Sequence, residues 1–234
     1  MLHDKIVIVI DVDGVLLDIH SELECQLRQR GFEFSMNRVL TYDFNKSLPT
    51  ELAPQWLVDT DTGFDNWCNA PRQEIFSLFA DTALFMNAPF CLSAIEQIRR
   101  MCYSGLYHII IHTKSFTEPV ADVKEKRLRS LLPFCNLEIR HTIGSKNDKV
   151  AIACADYVLE DCIANLTPYA CRGYLIDQPY NREIYNAPLP ENIIRVSNAY
   201  IALCAIDTGV VMNHKQRKGY SRSGNNVQCE VGCL

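Results

Sequence analysis

The sequence predicts an α/β protein, a Rossmann-like parallel sheet with a mostly helical insertion after its first strand. Three observations carry that expectation. Near the N-terminus lies an unbroken β-branched run, Ile6 to Ile10, short and branched enough to read as a strand buried on both faces. From residue 88 onward, short apolar runs alternate with stretches of helical period, the pattern of right-handed parallel crossovers. Between the two lies a segment of different character, residues 19 to 87, with Pro49, Pro54 and Pro71 among many aromatics.

Taken in order, Ser21 to Arg30 reads as a helix, with Leu23 and Leu27 four apart and Gly31 as its stop. Gln73 to Phe85 carries apolar residues at helical spacing. Together with Trp56, Phe64, Trp67, Phe76, Phe79 and Phe85 it reads as a small helical insertion, most of whose aromatics form its own core. A minority is left to line a pocket. Ala94 to Cys102 is amphipathic (Ile95, Ile98, Met101) and stops near Gly105. Tyr107 to His112 is a second strand, ending in Thr113-Lys114-Ser115, and Thr117 to Leu132 is a charged helix closed by Pro133. Leu137 to Ile143 is a third strand, Asp148 to Cys154 a short helix bearing Lys149, and Tyr157 to Leu159 a fourth strand ending in Glu160-Asp161. Tyr174 to Ile176 and Ile193 to Val196 complete the sheet, and Asn198 to Thr208 is a closing helix. The aperiodic polar stretch beyond reads as a flexible tail. The expected units are therefore a core of residues 1–18 and 88–212, an insertion of 19–87 and a tail of 213–234.

Composition narrows the function. A hydrophobic fraction of 48% and a charged fraction of 22% are those of an ordinary soluble globular protein. A net charge of -5 argues against a general nucleic-acid or membrane-surface binder, because such proteins carry a basic excess. No apolar run approaches the roughly 20 residues that cross a bilayer, and the N-terminus makes a poor signal peptide. The 11 cysteines are scattered without a Cys-x-x-Cys pair, so reduced thiols in the cytoplasm are the expectation.

The chemistry is concentrated at Asp11-Val12-Asp13-Gly14. Residues two apart on an extended chain point the same way, so Asp11 and Asp13 can converge at the carboxyl end of the strand, where open α/β sheets place ligands. Carboxylates held so close repel unless a cation or shared proton intervenes, and hard oxygen ligands suit magnesium. A plain Asp/Gly turn explains an isolated match equally well. The metal-binding Asp-x-Asp of some glycosyltransferases also stays open, whereas a calcium loop lacks its further ligands here. The wider constellation discriminates better. Strands end at Asp11/Asp13, Thr113 and Glu160/Asp161, with Lys149 just before the last. A hydroxyl, an ammonium and carboxylates around a divalent ion suit phosphoryl transfer. Singly, Thr113 reads as a strand-end cap, Lys146 and Lys149 as surface lysines, and Glu160-Asp161 as a helix N-cap.

On these residues the chain resembles the haloacid dehalogenase-like hydrolase superfamily. The first motif of that family matches Asp11-Val12-Asp13-Gly14-Val15-Leu16, the second Ile109 to Thr113, and the third and fourth Lys149 and Glu160-Asp161. The insertion falls where the family places its type 1 cap. Within the superfamily the chain is similar to the 5'(3')-deoxyribonucleotidase-like branch, by the short spacing from Lys149 to Asp161 and by Leu175 to Arg182 with Arg195-Val196-Ser197. It departs at Glu160, where the branch has Asp, at Lys114, where Ser is frequent, and at Ile19, where an aromatic stands.

The resemblance implies Asp11 as a nucleophile forming an aspartyl-phosphate and Asp13 as acid and base. It implies Thr113 and Lys149 as phosphate ligands, with Lys114 assisting, and Mg2+ held by Asp11, the Asp13 carbonyl and Asp161, with Glu160 as the alternate. Spacing favours Lys149 over Lys146. The implied activity is a magnesium-dependent phosphomonoesterase, a 5'-nucleotidase acting on nucleoside monophosphates. The alternatives are another small phosphate ester such as a sugar phosphate, a polynucleotide 3'-phosphate, and a non-catalytic phosphate-binding protein. A homodimer stays open.

Overall fold

The computed structural model describes residues 5–32, 34–36, 72–144, 149–186 and 188–210. Trp56, Phe64 and Trp67 of the insertion, Lys146 and the tail lie outside the described residues. The described strands are β1 (Ile6–Ile10), β2 (Tyr107–Ser115), β3 (Glu138–Ile143), β4 (Tyr157–Glu160), β5 (Arg172–Ile176) and β6 (Ile193–Val196). They form one parallel sheet in the order β3-β2-β1-β4-β5-β6, with β1 at its centre. The chain therefore winds outward from β1 in both directions, and the carboxyl ends of β2, β1 and β4 stand side by side.

The β-branched run of β1 explains that placement. Successive side chains alternate between faces. Ile8 and Ile10 enter the larger core with Ile109, Ile111 and Leu159, while Val7 and Val9 join Ile110, Val158, Leu175 and Ile193 in a smaller core on the other face. All four are buried, each contributing on the order of 1.5–3 kcal/mol.

The helices are α1 (Ile19–Gln29), α2 (Arg72–Ala80), α3 (Thr82–Asn87), α4 (Leu92–Ser104), α5 (Glu118–Leu131) and α6 (Ile163–Leu166), then α7 over 199–210. Their boundaries follow capping chemistry. Asp18 accepts from the Ser21 N–H at 3.0 Å, Asp81 from the Ala83 N–H at 2.9 Å, and Thr117 caps α5, which has Pro in its first turn. Gly105 closes α4 with φ 71°.

Two expectations need correction. The predicted helix Gln73 to Phe85 is two helices, because Asp81 is extended and caps α3 with its side chain. The predicted helix at Asp148 to Cys154 is not there among its described residues: 149–152 are irregular and 153–154 form a turn. The chain here makes tertiary bonds instead, and Lys149 is carried on a loop.

The segments around Leu17 and Phe90 touch, and Leu23, Leu27, Leu78 and Phe85 between them share one buried cluster with Ile8 and Ile10. Asp18 N–H donates to Pro89 O at 2.9 Å and Cys91 N–H to Leu16 O at 2.8 Å, with Leu17 and Phe90 bridged antiparallel. The insertion rests on α5, where the Arg127 guanidinium donates to Phe85 O and lies 4.7 Å from the Phe90 ring centroid. No described helix is long and apolar enough to cross a membrane.

Candidate active site

Parallel register assembles the site. Ile10 pairs with Ile111 on one side and Leu159 on the other, so the next positions along the three strands are Asp11, His112 and Glu160. The Asp11 N–H extends the ladder by donating to Leu159 O at 3.0 Å. Beyond it the chain turns sharply: Gly14 N–H donates to Leu17 O, and both Leu16 and Leu17 N–H donate to Val12 O. Gly14 takes φ 71°, in the left-handed region, and a Cβ there would collide with the Asp161 carboxylate and come 2.7 Å from the Tyr180 hydroxyl. Glycine lets this loop press against Asp161.

Asp11, Glu160 and Asp161 are buried and place carboxylate oxygens within 4.8 Å of one another. Lys149 Nζ lies between two of them, 2.5 Å from Asp11 Oδ1 and 2.6 Å from Glu160 Oε1. Glu160 is otherwise saturated. Its Oε1 accepts from Asn165 at 2.8 Å, and its Oε2 from the Asp161 and Cys162 N–H groups at 2.9 and 3.3 Å. Asp161 is different. Its Oδ2 accepts from the Tyr180 hydroxyl and its carbonyl from Asn181 at 2.9 Å, but Oδ1 is buried with no partner among the described residues.

Electrostatics follow from this crowding. Burial, and then Glu160, push the Asp11 carboxyl up to about 7 against the pull of Lys149. Burial, Glu160 and Asp11 raise Asp161 well above the usual carboxylate range. Burial alone would lower the Lys149 ammonium, but Asp11 and Glu160 outweigh it and hold it charged. For Glu160 the burial cost is outweighed by Lys149 and its other hydrogen bonds, and it stays low. An uncompensated buried oxygen on Asp161, beside an Asp11 that resists ionising, is what a hard divalent cation would relieve. The residues fit such an ion, with Asp161 the better ligand and Glu160 spent on Lys149.

Of the sequence-predicted residues, Asp11, Lys149, Glu160 and Asp161 come together, while Asp13 and Thr113 meet around a second lysine. Asp13 stands outside the Asp11–Glu160–Asp161 group; its carboxylate is partly exposed, and the part expected of it toward metal was its main-chain carbonyl. Thr113 is fully buried at its strand position. Lys114 contributes its backbone carbonyl, and its side chain is half-buried.

What sequence reasoning missed is Lys124 of α5. Its side chain is fully buried, and its Nζ lies 2.5 Å from Asp13 Oδ2, 2.7 Å from Lys114 O and 3.4 Å from Thr113 Oγ1. The ammonium also sits 4.5 Å from the Phe85 ring centroid of the insertion. A signal existed: Val120, Ala121, Lys124 and Leu128 form one buried stripe of α5, and a lysine in an apolar stripe is rarely buried without a partner. Asn165 was likewise not singled out, and Tyr180 and Asn181 were given no role within the stretch Leu175 to Arg182.

No protein-family profile matches the chain, and no curated protein matches it in sequence. Solved structures do resemble it, haloacid dehalogenase-like hydrolases among them. One from Xanthomonas campestris is 10% identical, covers 88% of this chain and 96% of its own, and has a TM-score of 0.46. A subfamily IA hydrolase from Geobacter sulfurreducens is 13% identical, with 86% and 96% covered and a TM-score of 0.47. A hydrolase from Streptococcus pneumoniae is 13% identical, with 87% and 99% covered and a TM-score of 0.45.

Proposed function

We propose that the protein is a phosphomonoesterase in which Asp11 is the nucleophile and Asp13 the acid and base. The observation that carries this reading is the pairing of two aspartates, two residues apart at the end of the central strand, with separate buried ammonium groups beside a buried threonine. A binding module would need the cations and the hydroxyl but has no use for a second carboxylate two residues from the first.

In the first half-reaction an Asp11 oxygen attacks phosphorus, the bond to the substrate oxygen breaks, and Asp13 gives that oxygen its proton. An alkoxide leaves poorly unless protonated. In the second half, water attacks the aspartyl-phosphate, Asp11 is released, and the Asp13 carboxylate takes the proton from water, which restores both groups. Thr113 and Lys149 hold the phosphoryl oxygens, with Lys114 beside them. Magnesium, held by Asp11, Asp161 and the Asp13 carbonyl, would offset negative charge on the phosphoryl group. Lys149 holds Asp11 oriented until substrate arrives and opposes the burial that disfavours its charge.

The proposed substrate is a small phosphate ester, a nucleoside monophosphate first among them. The resemblance to the nucleotidase-like branch supports that choice. A cytoplasmic setting belongs to the same reading. Phosphate release from ribo- and deoxyribonucleoside monophosphates and sugar phosphates, with and without Mg2+, tests it. Release should require Mg2+ and fall by at least about a thousandfold in Asp11→Asn, in line with loss of a covalent nucleophile. Release that survives in that variant, or no release from any compound, would overturn the reading.

A further inference from the structure

Lys124 has no part in the chemistry assigned above, yet it is among the most completely buried large side chains of the protein. A lysine is placed in a core only when its charge is compensated. Here the compensation is specific. The ammonium is bonded to Asp13 Oδ2 and Lys114 O and stands near Thr113 Oγ1, with the Phe85 ring on a further side. Asp13 Oδ1 is left buried and without a hydrogen-bond partner among the described residues. One oxygen of the carboxyl is tied, and the other is buried and unpaired.

We propose that Lys124 is the positioning residue for Asp13. It fixes the carboxyl through Oδ2 and so sets the direction from which the carboxyl gives its proton to the leaving group and later collects one from water. A carboxyl protonated on Oδ1 still accepts a hydrogen bond on Oδ2, so the tether persists through both half-reactions. Each aspartate then has its own ammonium, Lys149 for the nucleophile and Lys124 for the acid. The two lysines reach the site from opposite neighbours of β1: α5 follows β2, and Lys149 bonds Glu160 of β4. Because α5 also carries the contacts to Phe85, the orientation of Asp13 is set by the surface on which the insertion rests.

The inference rests on the phosphatase reading, and its test separates the two. Lys124→Met keeps the aliphatic stem and leaves Asp13, which is partly exposed, without its tether. The measurement is kcat/KM for an alkyl phosphate and for p-nitrophenyl phosphate, whose leaving group needs no proton. The wild-type protein should hydrolyse both; if it hydrolyses neither, the phosphatase reading has failed first. Given turnover, Lys124→Met should lose about 100-fold on the alkyl ester and less than tenfold on the aryl ester, the lower part of the range for general acid catalysis. In an Asp13→Asn background the same substitution should cost less than threefold, because coupled residues are not additive. Equal losses on the two esters, or full additivity with Asp13→Asn, would overturn the proposal. Should Lys124→Met fail to fold, Lys124→Gln takes the same comparisons, with the same outcomes deciding.

Discussion

Lys149 Nζ stands 2.5 Å from Asp11 Oδ1, so the proposed nucleophile rests in a buried ion pair that also includes Glu160. Removing one member of such a cluster costs more than the cluster contributes, because the remaining charges stay buried. Lys149→Met should therefore abolish turnover. With divalent metal chelated, it should also destabilise the fold by about 3–5 kcal/mol at pH 8. The loss should shrink toward pH 5. Asp11, already raised to about 7 by burial and Glu160, loses its opposing cation in the variant and takes up a proton instead of staying charged. Urea titrations at the two pH values measure both numbers, and a pH-independent loss would refute the account.

Asp161 presents one bonded and one orphaned oxygen. If the orphan is a metal ligand, Mg2+ should raise the melting temperature saturably, since an ion that binds only the native state stabilises by mass action. Asp161→Asn should erase that rise. In the absence of metal the same variant should melt at or above the wild-type temperature, because a buried carboxyl crowded by Glu160 and Asp11 has become neutral. A variant that melts lower without metal, or still responds to it, would show that Asp161 is structural.

Gly14 is where the loop closes on that oxygen. Gly14→Ala adds strain at φ 71° and drives a methyl group into the Asp161 carboxylate and toward the Tyr180 hydroxyl. Strain of this kind costs about 1–3 kcal/mol. The displaced Asp161 should weaken Mg2+ by at least about tenfold, as loss of ligand orientation does. Thermal shift against Mg2+ concentration reads both effects. An alanine variant with native affinity would mean that the loop yields freely.

How far the sequence foretold this arrangement varies with the kind of interaction. Ile6 to Ile10 and the strand end at Glu160 were legible, because burial on both faces imposes a β-branched run; the strand expected to stop at His112 instead runs on to Ser115, since its pairing with β3 continues past Thr113. The break at Asp81 was only half legible: a helical period runs through it, and a side-chain cap outweighs the period. Lys149 lies beside Asp11 and Glu160 but on a loop and not on the expected helix, since its local propensity was overridden by bonds to residues 11 and 160. Lys124 was hidden because a lysine in a charged helix reads as solvated. Its spacing with Val120, Ala121 and Leu128 was the one signal, and its partners on other elements, Asp13 and Thr113, decide that the stripe faces inward.

His20 lies in α1 with its ring 4.8 Å from that of Tyr180, the residue that holds Asp161. Its Nδ1 is buried without a partner among the described residues, and burial pushes the imidazole down to about 4, against a small opposing pull from Asp18. In the unfolded chain it titrates near 6.5. The folded state thus disfavours the charged form. Between pH 6.5 and 4 the unfolded chain binds a proton that the native protein refuses, and stability falls as pH falls through that window. It is fully present above 6.5. By pH 4 the loss amounts to about 3 kcal/mol. His20→Phe fills the same space with a group that does not titrate. Its stability relative to wild type should accordingly climb by about that amount from pH 7 to pH 4, whatever the carboxylates contribute to both proteins. Denaturant midpoints across that range supply the comparison. A difference that stays constant with pH would place the acid sensitivity elsewhere, among the carboxylates around Lys149.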